Sequence, residues 1–191
     1  MSELSATQIC SAALVLIGER PISDIEDTGN PNAVRCKAVY AKSRDALLRE
    51  YAWGFATKRV ALAQAATAPV FGYTYQYPLP ADCLRVLETQ DASIVYELED
   101  GYLLTDEEEI QIRYIARVTQ TGKFDSLYTE CLSIRIAREL AYAVVKKLSM
   151  VQAMDELLKR AMPAARQIDA NEGNRAAPTP ESQSSWLAAR L

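Results

Sequence analysis

Trp53-Gly-Phe-Ala-Thr-Lys-Arg-Val-Ala-Leu62, followed after a connector of small residues by Tyr73-Thr-Tyr-Gln-Tyr-Pro-Leu-Pro-Ala-Asp-Cys-Leu-Arg-Val-Leu87, is the stretch that decides how this chain folds. Before Trp53 the apolar residues recur at helical spacing, and from Tyr73 onward alternation and turn residues take over. The stretch therefore marks the passage from a helical layer to a β layer. Trp53 and Phe55 are expected at the seam, because large aromatics bury much apolar area and an indole N–H with an acceptor sits well between packed layers. No pattern of catalytic residues lies within it.

Upstream, Ser5-Ala-Thr-Gln8 fits a capping box, and Ile9, Ala12, Ala13, Leu16 and Ile17 follow at helical spacing with Gly18 as the stop, predicting a helix over 5–17. Asn30-Pro31 offers an N-cap followed by proline at the first helical position, opening a second helix over 31–53. Its apolar stripe of Ala33, Cys36, Tyr40, Leu47 and Tyr51 occupies one narrow arc. Lys37 and Arg44 fall on or beside that arc, so their charged heads must reach its edge or find partners.

Downstream, strands are expected over 83–89, 93–99, 102–105 and 110–118, with Asp100-Gly101 as a two-residue hairpin turn, making a small antiparallel sheet within 69–118 that packs one face on helices. Asp125 suits the N-cap of a helix over 125–148. Leu127, Cys131, Ile134, Ala141, Val145 and Leu148 form one face and Leu132, Ile136, Leu140 and Val144 cover much of the rest, so this helix should be central and buried. Arg135 and Glu139 are spaced to pair at i, i+4, while Arg138 projects near the apolar face. Ser149-Met-Val-Gln152 reads as a second capping box. The helix it starts, over 150–170, runs through Ala153, Leu157, Ala161, Ala165 and Ile168 and contains Pro163, which should kink or break it near Lys159. After Asn171 the composition turns polar and cannot form a core. The expected fold is α+β: mainly a bundle of four helices with a small antiparallel sheet or hairpin insertion, a body over 1–171 and an extended C-terminal arm over 172–191.

The chain has 191 residues, 49% hydrophobic, with a net charge of −4, enough for one sizeable core and most simply one domain. No apolar run approaches the roughly 20 residues of a bilayer span, and Met1-Ser-Glu-Leu-Ser lacks the order of a signal peptide, so a protein made in a cytosol and without membrane contact is expected. Cys10, Cys36, Cys83 and Cys131 lie far apart among apolar neighbours and read as reduced core residues. Histidine is absent, which removes Ser-His-Asp and Cys-His catalysis and the usual zinc sites; no metal and no cofactor are expected.

Asp82 with Glu88, or the run Glu107-Glu108-Glu109, is a candidate carboxylate pair for glycoside hydrolysis. That chemistry needs one carboxyl raised in an apolar pocket, and these runs read as solvated; Asp82, after Leu79-Pro80, reads as a turn residue. Basic residues do not cluster beyond pairs such as Lys58-Arg59 and the balance is acidic, which argues against DNA capture. Tyr73, Tyr75 and Tyr77 are spaced to stack bases or, more simply, to share one face of a strand for packing or protein contact. Glu97, Glu99, Asp100, Asp106, Glu107, Glu108 and Glu109 occupy a segment without a basic residue. Within one chain it makes a solvated hairpin that resists edge-to-edge pairing; repeated around a ring, which only the family resemblance given below implies, it would make a negative collar that repels phosphates.

Four segments together, Ala13-Leu-x-x-Ile-Gly18, Leu47-Leu48 to Trp53-x-Phe55-Ala56-x-x-Arg59, Tyr77-x-Leu79-Pro80-x-Asp82-Cys83-Leu84-Arg85 and Trp186-x-x-x-Arg190, resemble in order and spacing the tail tubular protein A family. These are head-to-tail adaptors of short-tailed bacteriophages (podoviruses), and the resemblance extends along nearly the whole chain. It implies a virion protein of the phage neck, without enzymatic task, assembled as a ring of twelve copies between the portal and a tail nozzle of the tail tubular protein B kind, with genome DNA passing through the lumen. The segment Ala176-Ala-Pro178-Thr-Pro180 favours extended, semi-rigid backbone. Beyond it Trp186, Leu187 and Leu191 are apolar, and Trp and Arg190 are residue types common at interface hot spots, so Pro178, Pro180, Trp186, Leu187, Arg190 and Leu191 are expected to form a portal-binding arm. An end that folds back on its own subunit remains open, as does the alternative function of a phage-encoded binding or cell-wall hydrolysing accessory module.

Overall fold

The computed structural model describes residues 4–173. Ser5 Oγ accepts from the Gln8 amide at 3.2 Å and Gln8 Oε1 accepts from the Ser5 amide at 2.8 Å, so the capping box opens helix α1 (Ala6–Leu16) as expected. Gly18, at φ +81°, closes it: its amide donates to the Val15 carbonyl at 3.0 Å and that of Glu19 to Leu14 at 2.9 Å, the two bonds of a Schellman motif. Helix α2 (Pro31–Glu50) starts on Asn30, whose Oδ1 accepts from the Asn32 amide, and stops at Glu50 rather than 53. The chain then turns through a short 3-10 segment, Gly54–Ala56.

Six strands follow: β1 (Thr57–Ala61), β2 (Tyr75–Pro78), β3 (Cys83–Thr89), β4 (Tyr96–Glu99), β5 (Tyr102–Thr105) and β6 (Gln111–Ala116). They form two antiparallel three-stranded sheets, β1-β6-β3 and β2-β5-β4, not the single small sheet expected. β1 lies outside the expected β region of 69–118, and β4 is shorter than 93–99 because Ser93 is held in a turn by Asp91. The Asp100-Gly101 turn is as expected, both residues at positive φ (45° and 79°) with Glu99 paired to Tyr102, the twist that suits a two-residue hairpin.

Helices α3 (Ser126–Val145) and α4 (Leu148–Gly173) complete the chain. Asp125 Oδ1 accepts from the Leu127 and Tyr128 amides at 2.8 and 3.2 Å. Half of the 20 residues of α3 are buried, in keeping with a helix apolar around most of its circumference. α4 begins one residue before Ser149, which therefore lies within the first turn, and the box expected at 149–152 does not start the helix.

Two expectations for α4 are corrected. Its buried side is Met154, Met162 and Ala165, with Val151 and Leu158 packed alongside, whereas Leu157 and Ile168 face outward. Pro163 does not break it; Pro163 and Lys159 are both exposed, so the carbonyl that loses its donor is left to water. Arg135 does not pair with Glu139 either. It reaches across to Glu50 on α2 at 2.9 Å, and Arg138 joins Asp155 on α4 and Glu139, because cross-helix carboxylates lie within reach.

Strand β6 explains how the layers fit. Ile115 joins the core of the helical layer, with Leu84 and Leu87 of β3 packed against it, while Ile112, Tyr114 and Ala116 belong to a second core with Tyr77, Leu103 and Ile110. Alternation along one strand thus feeds a core on each side. The result is three layers in order: helices, the sheet β1-β6-β3, and the outer sheet β2-β5-β4.

Trp53 sits at the seam, 0% exposed. Its Nε1 donates to the Leu47 carbonyl at 3.0 Å, and its ring meets Tyr51 and Tyr128 edge-on at 5.1 and 5.2 Å. Half-buried Phe55 lies against Trp53, Tyr128 and Phe124. Arg44, which the helical arc placed inside, is buried and satisfied: Asp45 accepts from it at 2.8 Å and takes Arg117 on its other oxygen at 2.8 Å.

Candidate functional site

The outer sheet carries the acidic segment, and the structure divides its carboxylates by task. Asp106 Oδ1 accepts from both the amide and the hydroxyl of Thr74 at 2.8 Å, fixing the entry to β2. Tyr75 donates to Glu108 Oε1 at 3.3 Å, and Tyr77, almost fully buried, donates to the Glu107 carbonyl at 2.7 Å. The run 106–109 is thus stitched to β2. Glu97, Glu99 and Asp100 remain exposed on the β4-β5 hairpin. None of the seven makes an ion pair among the described residues.

This uncompensated charge registers on the tyrosines. Burial, then the charges of Glu97, Asp106 and Glu99, push the Tyr73 phenol above its ordinary value. At Tyr75 the charge of Glu108 is the first cause of a shift in the same direction. A surface of this sign repels nucleic-acid phosphates. Tyr77, 1% exposed, presents no face on which a base can stack. Sharing one strand face for packing is therefore what Tyr75 and Tyr77 do.

Sequence reasoning missed the loop beside this rim. Val70 and Phe71, 98% and 87% exposed, overhang a groove of about 430 Å³ whose other walls are Tyr73, Glu97, Glu99 and Leu104. Two large apolar residues between Pro69 and Gly72 were the available signal: a turn segment has no inward side on which to hide them.

Asp82 and Glu88 do not form a catalytic pair. Burial draws the Asp82 carboxyl up, but hydrogen bonds from Lys58 (2.7 Å) and Tyr114 (3.1 Å) outweigh it and hold the group below its ordinary value. Glu88 is bound to Arg113 at 2.9 Å. A general acid needs the opposite shift. Asp82 instead joins β1 to β6, and its carbonyl accepts from the Arg117 amide at 2.6 Å.

Most cations near the helix–sheet junction are likewise committed. Glu50 holds Arg135 and Arg166, Asp45 holds Arg44 and Arg117, and Arg49 donates to the Leu84 carbonyl. The four cysteines are free thiols, Cys83 half-buried and the others buried. The hydrogen bond between Cys10 and Cys36, followed by burial, raises the Cys10 thiol. Among the described residues no three His, Cys, Asp or Glu side chains gather to hold a metal ion, and no helix is long and apolar enough to cross a membrane. Pro178, Pro180, Trp186, Leu187, Arg190 and Leu191 lie outside the described residues. Compared with known proteins, the chain matches no family model and no curated protein.

Proposed function

We propose that this chain is a structural head-to-tail adaptor of a short-tailed bacteriophage, of the tail tubular protein A kind, without enzymatic task. Twelve copies form a ring that joins portal to tail nozzle and leaves a lumen for the genome. The observation that carries the reading is that two of the four resembling segments, 47–59 and 77–85, meet at one seam. Leu47 accepts from Trp53, Phe55 packs on Trp53, Arg49 binds the Leu84 carbonyl and Asp82 ties Lys58 to Tyr114. Residues that would be catalytic in a hydrolase are spent here on joining layers, which favours a scaffold over a cell-wall hydrolysing module.

In this reading the four helices act as the bundle that forms each subunit's body. The outer sheet and the loop after β5, whose seven carboxylates make no ion pair among the described residues, face the channel, where like charge keeps DNA from adhering. Glu172 and Gly173, expected in the arm, belong to α4; the arm beyond Gly173 reaches the portal, with Trp186 as anchor and Arg190 beside it.

The test is assembly with the portal protein of a short-tailed phage whose genome carries this chain. Negative-stain imaging and native mass measurement should show a ring of twelve chains on the portal, and truncation after Asn171 or Trp186→Ala should weaken it. Absence of any association removes the adaptor reading. Association that survives both changes removes the arm. A ring with Glu97 and Glu99 on its outer wall removes the channel lining.

A further inference from the structure

The helical layer holds a surface that the adaptor reading leaves unused. α1, α3 and α4 leave a groove of about 460 Å³ between them, lined chiefly by Leu4, Ala12, Val15, Leu16, Ile134 and Leu157, with Glu130 at its rim. Leu4, Val15, Leu16 and Leu157 are 48%, 58%, 38% and 36% exposed. Single exposed aliphatic side chains are ordinary, but four converging on one trough mark a surface with an occupant. Glu130 is exposed and makes no ion pair among the described residues.

The geometry of the chain's exit identifies the occupant. Asp169, near the end of α4, accepts from the Gly54 amide at 3.0 Å and feels the charge of Asp125 at the start of α3. The chain therefore leaves α4 beside the Ser126 end of the groove, which continues along α3 to Ile134. From Gly173 back to Leu157 is roughly 24 Å at about 1.5 Å per residue. The spacer 174–185 spans up to about 37 Å at about 3.1 Å per residue in the extended form its prolines favour. Trp186 thus reaches all of the groove on its own subunit without help from a second copy. The segment that arrives, Trp186-Leu-Ala-Ala-Arg-Leu191, supplies three large apolar side chains for an apolar trough and one cation for Glu130.

We propose that in the free subunit this groove receives the Trp186–Leu191 end of the same chain, the indole against Val15, Ile134 and Leu157 and Arg190 paired with Glu130. A tethered segment faces its site at an effective concentration on the order of millimolar, so even weak contact keeps it docked. The groove covers the apolar end until an assembly partner competes for it. The inference rests on the groove and the tail and holds whether or not that partner is a portal.

The test uses the full chain at concentrations where sedimentation shows a monomer. The chain has two tryptophans, and Trp53 is buried, so iodide quenching of fluorescence reports Trp186, with Trp186→Phe giving the Trp53 background. In the wild type, quenching should stay within about twofold of that background. Val15→Lys with Leu157→Lys, both at exposed positions, should raise it at least threefold at an unchanged far-ultraviolet circular dichroism spectrum. Glu130→Lys should raise it partly, and adding Arg190→Glu should restore protection. Wild-type Trp186 as open to iodide as in the double lysine variant overturns the proposal, and so does protection that vanishes on dilution, which would assign the groove to a second copy. If the lysine pair unfolds the chain, the Glu130 and Arg190 exchange decides alone: protection indifferent to both charges overturns the docking. A chain that passes and never binds a portal loses only the adaptor reading.

Discussion

Trp53→Ala is the sharpest test of how the layers are joined. The indole is fully buried, packs edge-on against two tyrosines and donates to Leu47. Leu47 stands in the last turn of α2, which ends at Glu50, so its carbonyl is one of the four that the helix itself cannot satisfy. Removing the ring loses its apolar burial and opens a cavity, together roughly 3–5 kcal/mol. Trp53→Phe keeps an aromatic disc and loses the donor, leaving a buried carbonyl unpaired for about 1–3 kcal/mol. At about 2–4 °C per kcal/mol for a chain of this size, the alanine variant should melt roughly 6–20 °C lower. Urea unfolding followed by circular dichroism at 222 nm gives the free energies without relying on the deleted fluorophore. A loss under about 1 kcal/mol for Trp53→Ala would refute the seam as described; equal losses for the two variants would mean that the hydrogen bond, not the packing, dominates.

Pro163→Ala should stabilise the chain by about 2 kcal/mol, since an interior proline is about 3 kcal/mol worse than alanine and part of that is returned by a freer unfolded state; an unchanged or lower melting temperature would show that the ring makes contacts worth keeping. Gly101→Ala meets no atom within 4 Å but sits at φ +79°, so about 1–2 kcal/mol of backbone strain should appear as faster amide exchange at Leu103 and Leu104, with α3 unaffected. Asp82 has a folded-state pKa below its ordinary 3.8, so its contribution is present above that value and lost as pH falls through the lower one. Asp82→Asn should accordingly flatten the acid limb of stability below about pH 4, with a loss at pH 7 under about 1 kcal/mol because the pair with Lys58 is part-exposed. Identical acid limbs for variant and wild type would exclude this linkage.

Three of the four helix starts were legible because caps are local: Ser5, Asn30 and Asp125 each bond an amide two or three residues on, and that chemistry is written in consecutive residues; the box read at Ser149 was not a start. The sheets were less so. β1, Thr-Lys-Arg-Val-Ala, has no buried residue and carries charge where alternation should show apolar groups. As an edge strand it owes its form to β6, some fifty residues on, and no window of sequence contains both. On α4 two apolar stripes compete, and the one through Met154, Leu158 and Met162 faces inward, beside the cross-helix pair of Arg138 and Asp155. Carboxylates 97–109 were found from composition alone. That Asp106 and Glu108 serve β2 while Glu97 and Glu99 stay free depends on pairing that only the fold supplies.

The seam also sets a timetable for synthesis. Tyr128, which closes over Trp53, follows it by 75 residues; at about 5–20 residues per second that is a wait of roughly 4–15 s. Throughout it Leu47, Leu48 and the indole have left the ribosome without the helix that covers them, and β1 waits nearly as long for β6. A chaperone that recognises apolar helices has its natural window here. A nascent chain halted before Ser126 carries four of the seam's aromatic rings, Tyr51, Trp53, Phe55 and Phe124, without Tyr128, which meets three of them, and should be degraded, not stored.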